Sequence, residues 1–315
     1  MRTSFLIVVL SVLSIGTTRA DEPERKRRVM TWVPPYAVSQ CEKRLKESFN
    51  GIGMKDGITH LGLQFWRPTK EGGVQLLTRF KGINDATVLR FRKWGSANGV
   101  RVMLCVYNAT PSGWDWALAS SAFDTHREQF VKAIVSETLR LRLDGVDIDF
   151  ESKGNLDASK ESFVRFIRDL SRRLHAKGKE LTVDSFAYKW NAPNQKWWPA
   201  LLPHIDGLHV MGYSETGAGA ADWRGYNFIK AAAGKHTSRL VIGMPGNTAS
   251  WQNARVEKHI QWVVEDHSVG MAIWDARLKD PAWRTRETWQ AIARIKGQSI
   301  QAKKKRNPNK HATDG

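Results

Sequence analysis

Between Val29 and Lys296 the sequence alternates eight short apolar runs with longer amphipathic ones, and this alternation limits the available folds more than any other feature. The short runs, rich in β-branched residues, are Val29–Val33, Ile58–Gln64, Val100–Val106, Gly145–Phe150, Leu181–Phe186, Gly207–Gly212, Leu240–Met244 and Gly270–Trp274. They read as strands. Helical patterns lie between them, among them Asp85–Ala97, Thr125–Leu139, Lys160–Lys177, Arg255–Asp266 and Trp283–Lys296. Gly99 and Gly178 each follow a helical run and precede a strand, as C-terminal glycines do. Strands that alternate with helices give a parallel sheet covered by helices. Eight of them in roughly 270 residues match a single-domain α/β fold, the (β/α)8 barrel. A doubly wound open sheet is the competing fold, but its nucleotide-binding form needs a Gly-rich strand-to-helix turn near the start, and none is present.

The fourth strand carries the most chemistry. In Leu143-Asp144-Gly145-Val146-Asp147-Ile148-Asp149-Phe150-Glu151 the acids Asp147, Asp149 and Glu151 recur at every second residue, so they share one side of a strand. Val146, Ile148 and Phe150 take the other side, where helices would cover them. A solvated acidic edge strand fits poorly with so apolar an opposite face. Inside a barrel the acids crowd one another, and desolvation and repulsion push protonation upward, which a general acid requires. Glu151 ends the run at the C-terminal mouth, where barrel enzymes place their chemistry. The other chemical reading is a Mg²⁺ site for phosphoryl transfer or nuclease work. Against it, the segment has no histidine, and the sequence displays no second acidic cluster on another strand end.

These residues resemble glycoside hydrolase family 18, the chitinases and endo-β-N-acetylglucosaminidases. The family signature Asp-Gly-x-Asp-x-Asp-x-Glu is matched by Asp144, Gly145, Asp147, Asp149 and Glu151. Met211-Gly212-Tyr213 ends the sixth strand as the family's Met-x-Tyr does, and Trp274 closes the eighth, where the family keeps a tryptophan as the floor of the sugar site. The resemblance implies a retaining, substrate-assisted hydrolysis of β-linked N-acetylglucosamine glycans, an exception to the two-carboxylate scheme. Glu151 would protonate the leaving oxygen, and the substrate's acetamido oxygen would attack the anomeric carbon. Asp149 would orient the acetamido group, with Asp147 sharing a proton behind it, and Tyr213 would donate to the acetamido oxygen. Neither metal nor organic cofactor is implied. The sequence departs from the family at Ser214, where Asp is common, with Glu215 following. It departs again at Cys105-Val106-Tyr107-Asn108, where many members read Ser-x-Gly-Gly. An outlying subfamily is therefore expected. The family also contains lectin-like barrels without the acid, so carbohydrate binding alone is the alternative function.

The chain has 14 tryptophans. Flat indoles pack against the apolar faces of sugar rings, and several fall just after strands, where loops line a barrel mouth. Trp32, Trp66, Trp190 and Trp274, with Tyr188, are the expected sugar contacts, alongside Met211 and Glu215. Trp94, Trp262 and Trp289 lie in helical patterns and read as packing.

The ends are distinct. Arg2, the apolar run Phe5–Ile15 and Thr18-Arg19-Ala20 form the pattern of a secretory signal peptide over residues 1–20, so a secreted or periplasmic protein is expected. The run is short for a membrane span. The net charge of +18 falls to +16 on loss of Arg2 and Arg19. Such a surface suits an anionic cell envelope rather than a specific nucleic-acid site. Residues 21–28 and 297–315 read as basic, solubilising ends flanking a catalytic domain over 29–296. Cys41 and Cys105 permit one disulfide in an oxidising compartment, while a buried thiol is the other reading for Cys105 inside its apolar strand.

Overall fold

The computed structural model describes residues 26–187, 191–211, 213, 223–247 and 256–298. The signal-peptide reading, most of the basic tail, Tyr188, Trp190, Ser214 and Glu215 lie outside the described residues.

Eight parallel strands close into a barrel: β1 (Val29–Val33), β2 (His60–Pro68), β3 (Arg101–Tyr107), β4 (Gly145–Asp149), β5 (Glu180–Ser185), β6 (Gly207–Val210), β7 (Leu240–Pro245) and β8 (Gly270–Trp274). Each pairs with its chain neighbours, and β1 closes the ring by pairing with both β2 and β8. Around the ring stand α1 (Val38–Lys46), α2 (Asp85–Asn98), α3 (Arg127–Arg140), α4 (Lys160–His175), α5 (Trp198–Leu201), α6 (Trp223–Ala233), α7 (Val256–Glu265) and α8 (Arg286–Ala293). The (β/α)8 barrel expected from the alternation is the fold. Both expected helix stops are present: Gly99 and Gly178 adopt φ of 63° and 65°, a left-handed turn that glycine makes without a Cβ clash.

Alternation along the strands sorts side chains into two layers. The outward set packs under the helices. Val146, Ile148 and Phe150 are buried, and the Phe150 ring stacks on Phe130 of α3 and Phe166 of α4 at 6.3 and 6.4 Å. That is the apolar cover the carboxylate strand requires on its far side. The inward set forms a smaller apolar cluster of Met30, Trp32, Met103, Cys105, Val241 and Ala272, with Trp274 against it. Both cysteines are buried free thiols on different layers, so no disulfide joins them.

The N-terminal face corrects one expectation. Arg27 and Arg28 are not solubilising residues but buried ones. Arg27 donates to the carbonyls of Val269 and Asp266, and Arg28 pairs with Glu180 Oε2 at 2.8 Å. Their guanidiniums close the bottom of the barrel, where free carbonyl groups and one glutamate supply the acceptors.

Candidate active site

The carboxylate row occupies the barrel interior and rises toward its C-terminal mouth. Asp147 lies deepest, beside Cys105 of β3 and Thr182 of β5 in register. Trp32 Nε1 donates to Asp147 Oδ2 at 2.7 Å, Thr182 Oγ1 donates to Oδ1, and His209 Nδ1 stands 3.3 Å from that same oxygen. Burial opposes ionisation of Asp147, but His209, Thr182 and Trp32 outweigh it and hold its pKa below the ordinary value. Asp147 is the fixed anion of the site.

One pleat higher, Asp149 accepts from Gln64 Nε2 at 2.6 Å. Burial and then the charge on Asp147 raise its pKa to about 7, with Gln64 and Glu151 pulling the other way. Glu151 follows the strand end, is partly exposed, and adjoins Asp149. Its surroundings and the Asp149 charge raise its pKa well above that of a free glutamate. Asn108 holds its backbone from both sides: Glu151 N donates to Asn108 Oδ1 at 2.9 Å, and Asn108 Nδ2 donates to Glu151 O at 3.1 Å. The arrangement can therefore offer a proton at the mouth from a group kept neutral by a buried anion below it.

Tyr213 completes the group from the end of β6. It is buried, and its hydroxyl is pushed well above its usual pKa by burial and then by Asp184, Glu151, Asp149 and Asp147. Its ring needs the empty space over Gly243, where a Cβ would stand 3.0 Å from Tyr213 Cε1 and 2.4 Å from the Val210 carbonyl. Gly62 does the same for Trp32: a Cβ there would lie 2.4 Å from Trp32 Cδ1 and 2.8 Å from the Nε1 that donates to Asp147. Two glycines thus shape the room that the site's aromatic donors occupy.

The structure brings Glu151, Asp149, Asp147 and Tyr213 together, the three acids as their spacing implied and Tyr213 as the family resemblance implied. It separates the aromatic candidates. Trp274 is partly exposed beside the mouth, its ring 5.9 Å from that of Trp32. Met211 follows the end of β6, its amide donating to the Ser185 carbonyl at 2.8 Å. Trp32 is 1% exposed and serves Asp147, so it is a support for the row rather than a sugar platform. Trp66 is fully buried in the outer layer, donating to Glu137 Oε1 at 3.1 Å. The cause is a bulge: two steps of β3, from Leu104 to Val106, face three of β2, from Leu63 to Trp66, which turns Trp66 outward. Trp289 and the partly buried Trp94 and Trp262 pack in the core, as their helical positions implied.

Sequence reasoning passed over Gln64, Asn108, Thr182, Asp184 and His209. The available signal was a polar residue at an inward position, or just past the end, of a strand whose outward positions are apolar. Asp184 of β5 adds one acid from a neighbouring strand to the row. It stands with Asp147 and His209 so that one ligand atom from each lies within 4.8 Å of the others. Those atoms are already joined by hydrogen bonds to one another and, at Asp147, to Thr182. This makes the trio a hydrogen-bonded cluster in a closed space, and among the described residues it is the one grouping of metal-ligand type.

A parallel eight-stranded barrel with a buried acidic row ending in a raised carboxyl at its mouth defines the class of (β/α)8 glycosidase-type sites. The model for glycosyl hydrolases family 18 matches residues 32–312, and the chain belongs to that family. Among curated proteins it is similar to an endochitinase of Manduca sexta, 27% identical over 285 positions, covering 76% of this chain. The chain spans about half the length of that relative, 48%. Among solved structures it is similar to a chitinase from Chromobacterium violaceum, with TM-score 0.65 and 15% identity over 86% of this chain and 99% of that one. A Bacillus cereus spore cortex-lytic enzyme gives TM-score 0.66 at 12% identity, over 87% and 75% of the two chains. At such identities these likenesses speak for the fold.

Proposed function

We propose that this chain is a retaining hydrolase of β-linked N-acetylglucosamine glycans, exported by the segment 1–20, with Glu151 as its acid and base. The observation that carries the reading is the Glu151 carboxyl at the mouth, its pKa raised over the buried Asp149. Glu151 protonates the glycosidic oxygen, and the substrate's acetamido oxygen forms the bond to the anomeric carbon as that oxygen leaves. Asp149 faces the acetamido N–H, and its charge offsets the positive oxazolinium. Tyr213 donates to the acetamido oxygen, and Trp274 supports the ring from below. Water, deprotonated by Glu151, then opens the oxazolinium with retention. The endochitinase name of the curated relative favours chitin-type oligomers over N-glycan cores or wall peptidoglycan.

The test is hydrolysis of fluorogenic N-acetylglucosamine oligomers, a high-mannose glycopeptide and bacterial wall fragments by wild type and Glu151→Gln. Release from the oligomers that disappears in the variant supports the reading. Binding without cleavage by wild type contradicts it and leaves a lectin-like barrel.

A further inference from the structure

The acids of the barrel interior are held unequally, and the motif that locates three of them says nothing of the fourth. Asp184, on β5, faces inward beside His209 of β6, its neighbour in register. The His209 ring is buried and fixed on several sides. Its Nδ1 lies 2.6 Å from Asp184 Oδ1 and 3.3 Å from Asp147 Oδ1, and its plane meets the Trp32 indole edge-on, with centroids 5.0 Å apart. Its Nε2 has no hydrogen-bond partner among the described residues. A buried N–H without an acceptor costs more than a buried lone pair, so the ring hydrogen belongs on Nδ1, where two carboxyl oxygens receive it.

We propose that His209 and Asp184 are positioning residues of the reaction: the His209 Nδ1–H, held between the Asp184 and Asp147 carboxyls, keeps Asp147 as the fixed anion and leaves proton exchange to Asp149 and Glu151. This rests on the reading of Glu151 as the acid. The groups that face the couple are Asp147 and Asp149 on β4, Glu151 just after it, Cys105 on β3, Tyr213 after β6 and Arg28 beneath. Arg28 is the one cation of that set, and it is engaged with Glu180 at the opposite end of the barrel. Asp184 is accordingly the neutral acid, its carboxyl raised well above the usual range by burial and by the charges of Asp147, Asp149 and Glu151. If Asp147 lost the His209 donor it would take up a proton itself. The charge that keeps Asp149 protonated to about pH 7 would then weaken, and the Asp149–Glu151 pair would release its proton at lower pH.

The experiment uses two amides that differ in reach. The nitrogen of His209→Asn reproduces Nδ1, whereas that of His209→Gln reproduces Nε2. On an oligomer that wild type cleaves, His209→Gln is expected to lose about tenfold or more in kcat with KM within about twofold. Its alkaline limb should fall by about one pH unit. His209→Asn restores the limb and most of the turnover. Asp184→Asn, which keeps a neutral acceptor at Oδ1, likewise recovers the turnover that Asp184→Ala loses. An unmoved limb in His209→Gln, or equal damage in the Asn and Gln variants, overturns the proposal. A readout independent of variant folding is the ¹⁵N spectrum of wild-type His209, expected to show protonated Nδ1 and bare Nε2; the reverse tautomer also overturns it. Inactive wild type, or fully active Glu151→Gln, sinks the proposed function instead. A dead Glu151→Gln beside a wild-type profile in His209→Gln sinks this inference alone.

Discussion

At the N-terminal end of the barrel Glu180 lies between Arg28, His60 and Arg101; at the C-terminal end Asp147 and Asp184 share one neutral imidazole, with Asp149 and Glu151 above them. Glu180 is half-buried, yet its pKa is driven far below the ordinary glutamate value, because Arg28, His60 and Arg101 outweigh the cost of burial. His60, buried and beside Arg28, is lowered to about 4 and stays neutral. Among the described residues no Lys or Arg pairs with the row at the mouth, and three of the four carboxyls are raised instead. The same residue type in the same barrel thus closes the bottom as a paired anion and holds a transferable proton at the top. The difference lies in the partners. Where cations surround a buried acid the result is cohesion, and where acids surround it the result is reactivity at a cost in stability.

The comparison can be broken most sharply at the mouth. Glu151→Gln is expected to lower kcat by about 10²–10⁴-fold with little change in Tm, read by oligomer hydrolysis and calorimetry. An equally large effect on stability would mean that Glu151 belongs to the framework. At the bottom the pattern reverses: Glu180→Gln leaves Arg28 and Arg101 unpaired, costs about 3 kcal/mol, and leaves kcat within about twofold. Urea unfolding and steady-state kinetics on the same preparation would check this, and a loss of turnover at wild-type stability would contradict it. Gly62→Ala pushes a methyl into the Trp32 indole. About 1–3 kcal/mol of stability and a smaller part of the activity should go together, because Asp147 loses its indole donor.

The smallest effect is in the pH dependence of stability, where the ends have opposite signs. Glu180 binds fewer protons folded than unfolded, so its contribution is present above the unfolded pKa of about 4.3 and is lost as pH falls below it. Asp149 is the reverse. Its folded pKa of about 7 exceeds the unfolded one, so its contribution is full below about pH 3.9 and is lost as pH rises through 7. Asp149→Asn should therefore be more stable than wild type at pH 8 by about 1–2 kcal/mol, and inactive. Equal stability at pH 8 would show that the buried acid is compensated after all.

Much of this was legible in the chain. The strands were, because each is a short apolar run between helical patterns, and the carboxylate strand was, because its acids alternate within one run of nine residues, Leu143 to Glu151. The supports were hidden by distance. Gln64 meets Asp149 across 85 positions, and His209 meets Asp184 across 25, on strands whose inward faces converge only when the ring closes. Trp32 and Trp66 show the limit from the other side. Both follow the rule that strand-end indoles line the mouth. One is drawn down to Asp147 through the gap at Gly62, and the other is turned outward by a bulge that no local pattern announces. The basic segment before Val29 misled because Arg27 and Arg28 resemble a solvated run until the carbonyls and Glu180 that receive them are in place.

The claim beneath all of this is that Glu151 keeps its proton where an exposed glutamate has lost it. The direct measurement is a ¹³C NMR titration of the glutamate carboxyls, with the Glu151 resonance assigned by its absence in Glu151→Gln. A Glu151 carboxyl that titrates well above the ordinary glutamate range, together with Asp149, is the expected result. A resonance that titrates in the ordinary glutamate range would contradict it, and the mouth of the barrel would then be a binding surface without an acid.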